Sequence, residues 1–329
     1  MLPPTPWGTP VALLGRGGLA EVYLLPGPPP TAVKLMRKPH LAFLRAAPSV
    51  AHELAALRAA AAGCPASVVR LLAAAHDGKA VYLRLSASLP STPLDALLAA
   101  NPRGVPPAAA ARLAAGLAGG LAHLHAAAVA HRDVAPPNVS VSGGQAVLLD
   151  LGCAKLLGEG GSSGTWCGRV AYMAPERRAR RPHGVAADCW SLGVVAVEAL
   201  TGEASGGEEE EAAAVRRVAA AAGEAAADLV ARLLRADATA RMSAAEAAAH
   251  EWCGGGEAAA LARLADALQL RGESGGEAEA GGEEDEEAAW EAAEQEEVRR
   301  RAEAAWPKLR EACEAIFVGA IGPALEDVL

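Results

Sequence analysis

The chain changes character near residue 90, from short apolar runs separated by turns to longer stretches that favour helix. Residues 11–25 form two apolar runs around glycines, and residues 31–36 form a third after a proline-rich turn. Residues 68–86 indicate a strand, an HDGK turn and a second strand. Residues 49–62 are the exception, because they are strongly helix-forming. The first part is therefore predicted to be a small mixed sheet with one helix.

The second part is predicted to be mainly helical. The stretch STPLDALLAAN offers a capping box, with Thr92 followed three residues later by Asp95 and with Pro93 at the first helical position. Residues 107–128 carry leucines at helical spacing, and helices broken by loops are expected from there to residue 252. Because neither part contains an internal repeat, the sequence predicts an α+β fold of two unequal lobes.

Composition argues against proteins that bind nucleic acid or membranes and against those stabilised by disulfides or zinc. The net charge of −9 and the pI near 5.5 argue against general affinity for nucleic acid or for an anionic membrane surface. The opening MLPPTPWGTP predicts no signal peptide, and no apolar run suggests a membrane span. The six cysteines are widely spaced without a C-x-x-C pair, which is typical of a reduced intracellular protein, cytoplasmic or nuclear, rather than of a disulfide scaffold or a zinc site.

Several residues are suited to phosphate chemistry. The segment GRGGLAEV (15–22) could lay backbone N–H groups against phosphates, but on its own it favours a simple hairpin with glycines, and only Lys34 changes that balance. Lys34, with apolar neighbours in the sequence AVK, is placed to reach an anionic ligand, and Glu53 is a carboxylate that could fix it. Asp133, with Asn138 five residues later, suits proton handling and metal binding.

Eight short motifs follow one another along the chain. They are GRGGLAEV (15–22), AVK with Lys34, Glu53, HRDVAPPN (131–138), DLG (150–152), APE (174–176), DCWSLG (188–193) and Arg241. In this order they resemble the protein kinases over roughly residues 10–252, and eight ordered motifs make coincidence a poor explanation. The resemblance implies a two-lobed protein-kinase fold, with a small β-rich N-lobe that contains one key helix and a larger helical C-lobe.

The resemblance implies ATP and Mg²⁺ as cofactors and gives a role to each motif. Asp133 would orient the substrate hydroxyl and accept its proton, while Lys34, held by Glu53, would pair with the α- and β-phosphates. Asn138 and Asp150 would be the metal ligands, because two hard oxygen donors suit Mg²⁺. The nucleotide-binding residues would be Leu14, Gly15, Arg16, Gly17, Gly18, Leu19, Ala20, Glu21, Val22, Lys34, Glu53, Leu85 and Ala87.

Other residues match scaffold positions of the family. Glu176 and Arg241 match an ion pair that braces the larger lobe, and Asp188 would hold the backbone of the catalytic loop. Leu151 stands where the family usually has Phe, and we expect it to pack beneath the helix of Glu53.

The catalytic loop lacks its usual cation. Serine/threonine kinases carry a Lys two residues after the catalytic Asp and tyrosine kinases an Arg four residues after it, but this chain has Ala135 and Pro137. Arg169 replaces the threonine that in the family lies beside the catalytic Asp133. We hypothesise that Arg169 is catalytic and supplies the missing positive charge that contacts the γ-phosphate. The alternative is that it pairs with Asp133 and blocks substrate. Ser140, at a position where an apolar residue normally lies under adenine, is a second departure.

The segment before APE offers regulatory sites. Thr165 matches the family's usual phosphosite, with Ser162 and Ser163 as alternatives and an unmodified loop as the simpler explanation. Cys153 and Cys167 border the predicted site, either as thiols that respond to oxidants or as unreactive buried thiols.

The predicted organisation is a lead at residues 1–10, an N-lobe and hinge at 11–87, a C-lobe at 88–252, and an acidic, Ala/Glu/Gly-rich, partly helical tail at 253–329. The predicted function is a serine/threonine protein kinase that acts on protein substrates. The alternative is a pseudokinase, a nucleotide-binding or scaffold module without efficient phosphotransfer. For the tail, a contact with a partner or with the kinase itself is weighed against the simpler alternative of a solvated extension.

Overall fold

The computed structural model of the protein describes residues 2–87, 89–158, 166–203 and 211–254. Among these, one compact unit holds residues 2–51 and 71–87, and a second holds 52–70 and the described residues from 89 onward. The candidate phosphosites Ser162, Ser163 and Thr165, and the tail beyond residue 254, lie outside the described residues. The predicted domain boundaries remain predictions.

The first unit is built on an antiparallel sheet of five strands. They are β1 (Ala12–Arg16), β2 (Glu21–Leu25), β3 (Thr31–Arg37), β4 (Leu71–His76) and β5 (Ala80–Ser86), in the spatial order β1-β2-β3-β5-β4. Each strand lies in an apolar run that the sequence marked as a strand. The β4–β5 turn is closed by Asp77, whose Oδ1 accepts the N–H groups of Lys79 and Ala80 at 2.7 and 2.8 Å.

The register of the sheet separates two faces. Val22 lies opposite Lys34 and Lys34 lies opposite Leu83, so these three side chains share one face. The other face carries a buried cluster, against which Leu2 and Trp7 pack from the N-terminal lead; the cluster consists of Tyr23, Leu25, Val33, Leu35, Ala80 and Tyr82. The lead therefore belongs to the core of this unit, which the sequence pattern did not indicate.

Two helices follow β3. The first, α1 (Lys38–Phe43), was not predicted; it has a proline in its first turn and buries Leu41. The second, α2 (Ala47–Ala59), lies where the sequence predicts a helix, and its Leu54 and Leu57 are buried as their spacing indicates. The half of α2 that carries Glu53 belongs to the second unit.

The second unit is mainly helical. Its helices are α3 (Leu94–Ala99), α4 (Pro107–Ala126), α5 (Pro175–Arg178), α6 (Ala186–Thr201), α7 (Glu211–Ala222), α8 (Glu224–Leu233), α9 (Ala244–Ala248) and α10 (Glu251–Gly254). Short strands lie between them, namely β6 (Thr92–Pro93), β7 (Val129–Ala130), β8 (Val139–Ser142), β9 (Gln145–Leu148) and β10 (Lys155–Leu156). A β-rich unit and a larger helical unit confirm the predicted α+β class.

Helix α4 lies at the centre of the second unit. It packs against α6, α9 and β9, and it buries the four leucines that stand at helical spacing: Leu113, Leu117, Leu121 and Leu124. Each fully buried leucine contributes about 1.5–3 kcal/mol of hydrophobic stabilisation. A Cβ added to Gly120 would lie 3.0 Å from the Ser67 carbonyl oxygen, so the absence of a side chain there permits close packing. Within the described ranges, no helix has the length and apolar character needed to cross a membrane.

The predicted capping box at the start of α3 is wrong. Thr92 and Pro93 form strand β6 and pair with β8, so Thr92 does not cap the helix. The N-cap is Pro93, which makes no side-chain hydrogen bond, and Asp95 Oδ1 accepts the N–H of Ala96 at 2.9 Å. Cross-strand pairing therefore overrides the local cap signal at this position.

Candidate active site

The loop of residues 131–138, which the resemblance predicts to be the catalytic loop, is anchored to helix α6 by one buried carboxylate. Asp188 accepts the backbone N–H of His131 at 2.8 Å and that of Arg132 at 2.7 Å, and His125 Nε2 lies 3.0 Å from its Oδ2. Arg132 has a φ of 68°, in the left-handed region that non-glycine residues adopt only when surrounding contacts enforce it. The predicted role of Asp188 in holding this backbone agrees with these contacts.

The Asp133 carboxylate is held on both oxygens. Asn138 Nδ2 donates to Asp133 Oδ2 at 2.7 Å and to the Asp133 backbone carbonyl oxygen at 2.8 Å. The backbone N–H of Arg169 donates to Oδ1 at 3.1 Å, and Arg169 Nη1 donates to Oδ2 at 2.7 Å. The carboxylate is thus fixed in orientation while remaining partly accessible.

Asn138 and Asp150 flank the open end of the β8–β9 hairpin. The backbone N–H of Leu149 donates to the Asn138 carbonyl oxygen at 3.0 Å, so Asp150 directly follows the residue that pairs with Asn138. Gly152 N–H donates to Asp150 Oδ1 at 2.9 Å. Because the Asn138 amide nitrogen is committed to Asp133, its oxygen is the atom that it can offer to a cation. An amide oxygen and an exposed carboxylate are donor types that fit Mg²⁺, which uses few protein ligands and keeps several waters.

The segment that carries Arg169 lies directly on the catalytic loop. Gly168 has a φ of 82°, and a Cβ there would lie 2.6 Å from the Arg132 carbonyl oxygen and 3.1 Å from Asp133 Oδ1. The buried Arg177 donates Nη1 to the Arg132 carbonyl oxygen and Nη2 to the Cys167 carbonyl oxygen at 2.6 Å. These contacts allow only glycine at position 168 and fix Arg169 beside Asp133.

Two departures from the family pattern lie in the same region. Ala135, where serine/threonine kinases carry Lys, is fully buried, and its carbonyl oxygen accepts the N–H of Asn138 at 2.9 Å. Ser140 is buried in β8, where it pairs with Pro93, and the neighbouring Val139 is fully buried. The contribution of these residues to adenine binding remains a prediction.

In the first unit, the glycine-rich segment forms the tip of the β1–β2 hairpin. Gly17 N–H donates to the Ala20 carbonyl oxygen at 2.8 Å, and Leu14 to Gly18 are exposed. Glu21 makes ion pairs with Arg16 at 2.9 Å and with Arg37 at 3.1 Å. Glu21 therefore has a structural role in the hairpin, and its contact with a nucleotide remains a prediction.

The sheet register brings together three of the predicted nucleotide-binding residues. Gly15 pairs with Val22, and Val22 pairs with Lys34 on the next strand. Leu85 lies opposite Ala32 in β5 and is buried, and Ala87 follows this strand in a half-buried position. The tip of the hairpin and the Lys34 side chain thus belong to one contiguous part of the sheet.

Lys34 and Glu53 are both charged and nearly enclosed. Their residues are 8% and 4% exposed, in the first and second units respectively. Burial of a charged side chain at this level requires polar partners. The ion pair between them remains a prediction, as does the packing of Leu151, which is buried.

A second buried ion pair braces the helical unit. Arg241 donates Nη1 to Glu176 Oε1 at 2.8 Å and Nη2 to Oε2 at 3.0 Å, with the arginine side chain fully enclosed. Burial alone would raise the pKa of Glu176, but hydrogen bonds and the charge of Arg241 outweigh it, so the pKa lies below its ordinary value. The contact agrees with the ion pair expected from the resemblance.

Sequence reasoning missed two residues that position the site. His125 supports Asp188, and Arg177 joins the catalytic loop to the segment before α5. His125 ends a leucine-rich helix and Arg177 follows the APE motif directly. Nothing in the sequence around His125 or Arg177 predicts these roles, because the residues that they contact come from distant parts of the chain.

Comparisons with known proteins extend these observations. The family model described as the protein kinase domain matches residues 9–253. CBL-interacting protein kinase 4 of Oryza sativa subsp. japonica is 37% identical over 199 residues, which are 58% of this chain and 43% of that protein. Serine/threonine-protein kinase AtPK1/AtPK6 of Arabidopsis thaliana is 40% identical over 84 residues, 25% of this chain and 18% of that protein. cGMP-dependent protein kinase 2 of Homo sapiens is 31% identical over 196 residues, 58% of this chain and 25% of that protein. The chain thus spans less than half the length of these relatives.

Proposed function

Because the chain belongs to the protein kinase family, we propose that it transfers the γ-phosphoryl group of ATP to serine or threonine hydroxyl groups of protein substrates. One of the similar proteins is named as a serine/threonine kinase, which supports this choice of acceptor. Tyr172 before MAPE agrees with it, since tyrosine kinases usually have Trp at that position.

The arrangement around Asp133 is the observation that carries the proposal. A group that accepts the proton of the attacking hydroxyl must be fixed in direction and accessible to substrate. Hydrogen bonds from Asn138 and Arg169 fix the Asp133 carboxylate, and the strained backbone that precedes it is held by Asp188. A loop without a chemical role would not need these restraints.

The remaining groups would bind the nucleotide. The exposed β1–β2 hairpin would cover the phosphates with its backbone N–H groups, and Lys34 would pair with the α- and β-phosphates. Asn138 and Asp150 would hold Mg²⁺, which when bound neutralises charge on the phosphate oxygens. Glu53, buried on α2, would fix Lys34.

Arg169 would supply the cation that the catalytic loop lacks. Its Nη1 lies 2.7 Å from Asp133 Oδ2, and its side chain is 41% exposed, so the rest of the guanidinium can reach a phosphate next to Asp133. Ala135 is buried and offers no charge. The guanidinium would therefore occupy, from the segment before APE, the place of the usual lysine.

The same ion pair favours the second candidate, a pseudokinase. An arginine bound to the carboxylate that must accept a proton occupies one of its oxygens and the space of the substrate hydroxyl. If this pair persists with nucleotide bound, the domain would bind ATP without transferring its phosphoryl group.

Turnover and nucleotide binding should be measured on the same variants. With radiolabelled ATP and a mixed peptide library, Asp133→Asn is expected to abolish labelling, and Arg169→Ala to lower turnover about 10²-fold through loss of a transition-state charge. Arg169→Lys should recover part of the loss, while the exposed Arg181→Ala serves as the matched control and should behave as wild type. Thermal shift by MgATP should persist in both Arg169 variants and be weakened in Asp150→Ala.

Two results decide between the candidates. Labelling that is equal in wild type and Asp133→Asn, together with a retained MgATP shift, would establish the pseudokinase. Labelling that rises in Arg169→Ala would show that the arginine blocks the site instead of serving it.

A further inference from the structure

Two cysteines come together next to the loop of residues 131–138. Cys153 follows the DLG motif and Cys167 precedes Gly168. Cys167 Sγ is 4.0 Å from the Cys153 carbonyl oxygen. Both residues are half-buried, so a small oxidant can reach them. We infer that Cys153 and Cys167 are a reversible redox pair, which a hydroperoxide converts to a disulfide beside Asp133.

Two arginines hold the pair in place. Arg132 Nε donates to the Cys153 carbonyl oxygen at 2.7 Å, and Arg177 Nη2 donates to the Cys167 carbonyl oxygen at 2.6 Å. The same Arg177 nitrogen lies 3.6 Å from Cys167 Sγ. Guanidinium groups fix both backbones near each other and place positive charge next to one of the two sulfurs.

This environment makes Cys167 the nucleophile of the pair. The hydrogen bond from Cys153 and the charges of Arg132 and Arg177 lower the pKa of Cys167 below that of an ordinary thiol, although burial and Asp133 act in the opposite direction. The hydrogen bond to Cys167, burial and Asp133 raise the pKa of Cys153, against the charge of Arg132. A thiolate beside a protonated thiol is the arrangement in which one cysteine reacts and the other resolves the product.

The chemistry balances with a hydroperoxide as oxidant. The Cys167 thiolate attacks the O–O bond of ROOH, forms Cys–SOH and releases ROH after protonation of the leaving alkoxide. The Cys153 sulfur then attacks the sulfenic sulfur, forms the S–S bond and loses its proton as water leaves. Overall, two thiols and ROOH give one disulfide, ROH and water, and an added dithiol reverses the reaction.

The other described cysteines lack these features. Burial raises the pKa of Cys189 to about 12 and that of Cys253 to about 11, and both are buried. Cys64 is half-buried like the pair, but burial raises its pKa and its sulfur lies near backbone carbonyl oxygens. Cys64 is therefore a matched control of similar exposure.

The position of the pair connects it to the site. Cys167 is two residues before Arg169, and Gly168 between them contacts the catalytic loop. A disulfide would tie this segment to the loop that follows Asp150. The inference itself does not depend on phosphotransfer, because the linkage can be observed in an inactive protein.

The test follows the thiols of the full, reduced chain by mass spectrometry. After treatment with hydrogen peroxide and alkylation of the remaining thiols, we expect a linked peptide of Cys153 and Cys167 that has lost two hydrogens and is released by dithiothreitol. Before oxidation, Cys167 should react with iodoacetamide at pH 7 about tenfold faster than Cys64, because only thiolates react. This comparison is made on the wild-type protein and does not depend on the folding of any variant.

Variants separate the two roles. Cys153→Ser should leave Cys167 as a sulfenic acid that dimedone traps, whereas Cys167→Ser should leave Cys153 as a free thiol, and Cys64→Ser should leave the linked peptide unchanged. Equal alkylation of Cys167 and Cys64 without a linked peptide would overturn the inference. A disulfide from Cys167 to any other cysteine, with Cys153 still free, would overturn it as well.

Discussion

Replacement of Asp188 by alanine is expected to destabilise the helical unit by about 4 kcal/mol. The carboxylate accepts two backbone N–H groups, those of His131 and Arg132, at a place closed to water. Each buried donor that loses its acceptor costs about 1–3 kcal/mol, so the two together cost about 2–6 kcal/mol. The left-handed backbone of Arg132 would lose its restraint at the same time.

Asp228 provides the matched control. Like Asp188, it lies 3.0 Å from a histidine nitrogen, but its side chain is 57% exposed whereas that of Asp188 is 1% exposed. Because water can replace an exposed partner, Asp228→Ala should cost less than about 1 kcal/mol. Urea unfolding followed by circular dichroism would compare the free energies of unfolding.

Amide hydrogen exchange would localise the effect. Peptides that contain His131 and Arg132 should exchange up to about 10³-fold faster in Asp188→Ala, which corresponds to about 4 kcal/mol, and should be unchanged in Asp228→Ala. Similar unfolding energies for the two variants, or unaltered exchange in the catalytic loop, would refute the reasoning.

The pH dependence has a defined sign. Burial alone would raise the pKa of Asp188, but the hydrogen bond and charge of His125, with His131 and the Arg132 N–H, hold it below the ordinary value. The unfolded chain therefore takes up a proton, near pH 4, while the native carboxylate is still ionised. This contribution to stability is present above the unfolded pKa and is lost as the pH falls through the folded pKa. Asp188→Ala should lack that part of the acid dependence.

Three further substitutions test other parts of the structure. Gly168→Ala should lower turnover at least about tenfold, because its Cβ would lie 2.6 Å from the Arg132 carbonyl oxygen. Gly143→Ala is the control: this glycine also has a positive φ, but a Cβ there would meet no atom within 4 Å, so the change should only cost about 1 kcal/mol of stability. Glu176→Gln should lower the free energy of unfolding in urea by about 3–5 kcal/mol, because it leaves the charge of the enclosed Arg241 uncompensated. Glu203→Gln, whose carboxylate is 75% exposed, should leave this free energy nearly unchanged. Trp7→Ala should cost about 2 kcal/mol and lower the melting temperature, because the indole covers the outer face of the sheet.

The sequence predicts those elements whose pattern is local and long enough to read. The strands of the first unit and helices α2 and α4 combine apolar spacing with turn or helix-forming residues, and they are found where expected. Strands β6 to β10 contain only two to four residues each, which is too short for a periodic pattern. The capping box predicted at Thr92 is wrong because Thr92 pairs with strand β8, which lies much further along the chain and leaves no mark on the local sequence.

The candidate site likewise contains contacts that could be predicted from the sequence and contacts that could not. The positions of Asp188, Glu176 and Arg241 followed from the resemblance, and their contacts have the expected partners. The enclosure of Arg177 and the proximity of Cys153 to Cys167 could not be predicted, because they depend on how separate loops meet in three dimensions. Arg169 lies beside Asp133, where the family's threonine suggested it would lie, and its chemical role stays a prediction.

In the proposed mechanism, the Arg169–Asp133 contact makes the position of the cation and that of the base depend on each other. In the usual serine/threonine pattern both groups belong to one short loop, so they move together whatever the neighbouring segment does. Here they belong to segments that are 36 residues apart in the chain, and they meet through the guanidinium and the backbone N–H of Arg169. Any event that shifts the downstream segment would withdraw the cation and, at the same time, the hydrogen bonds that Arg169 donates to both oxygens of Asp133. A ligand that displaced this segment would consequently act on the cation and on the base together.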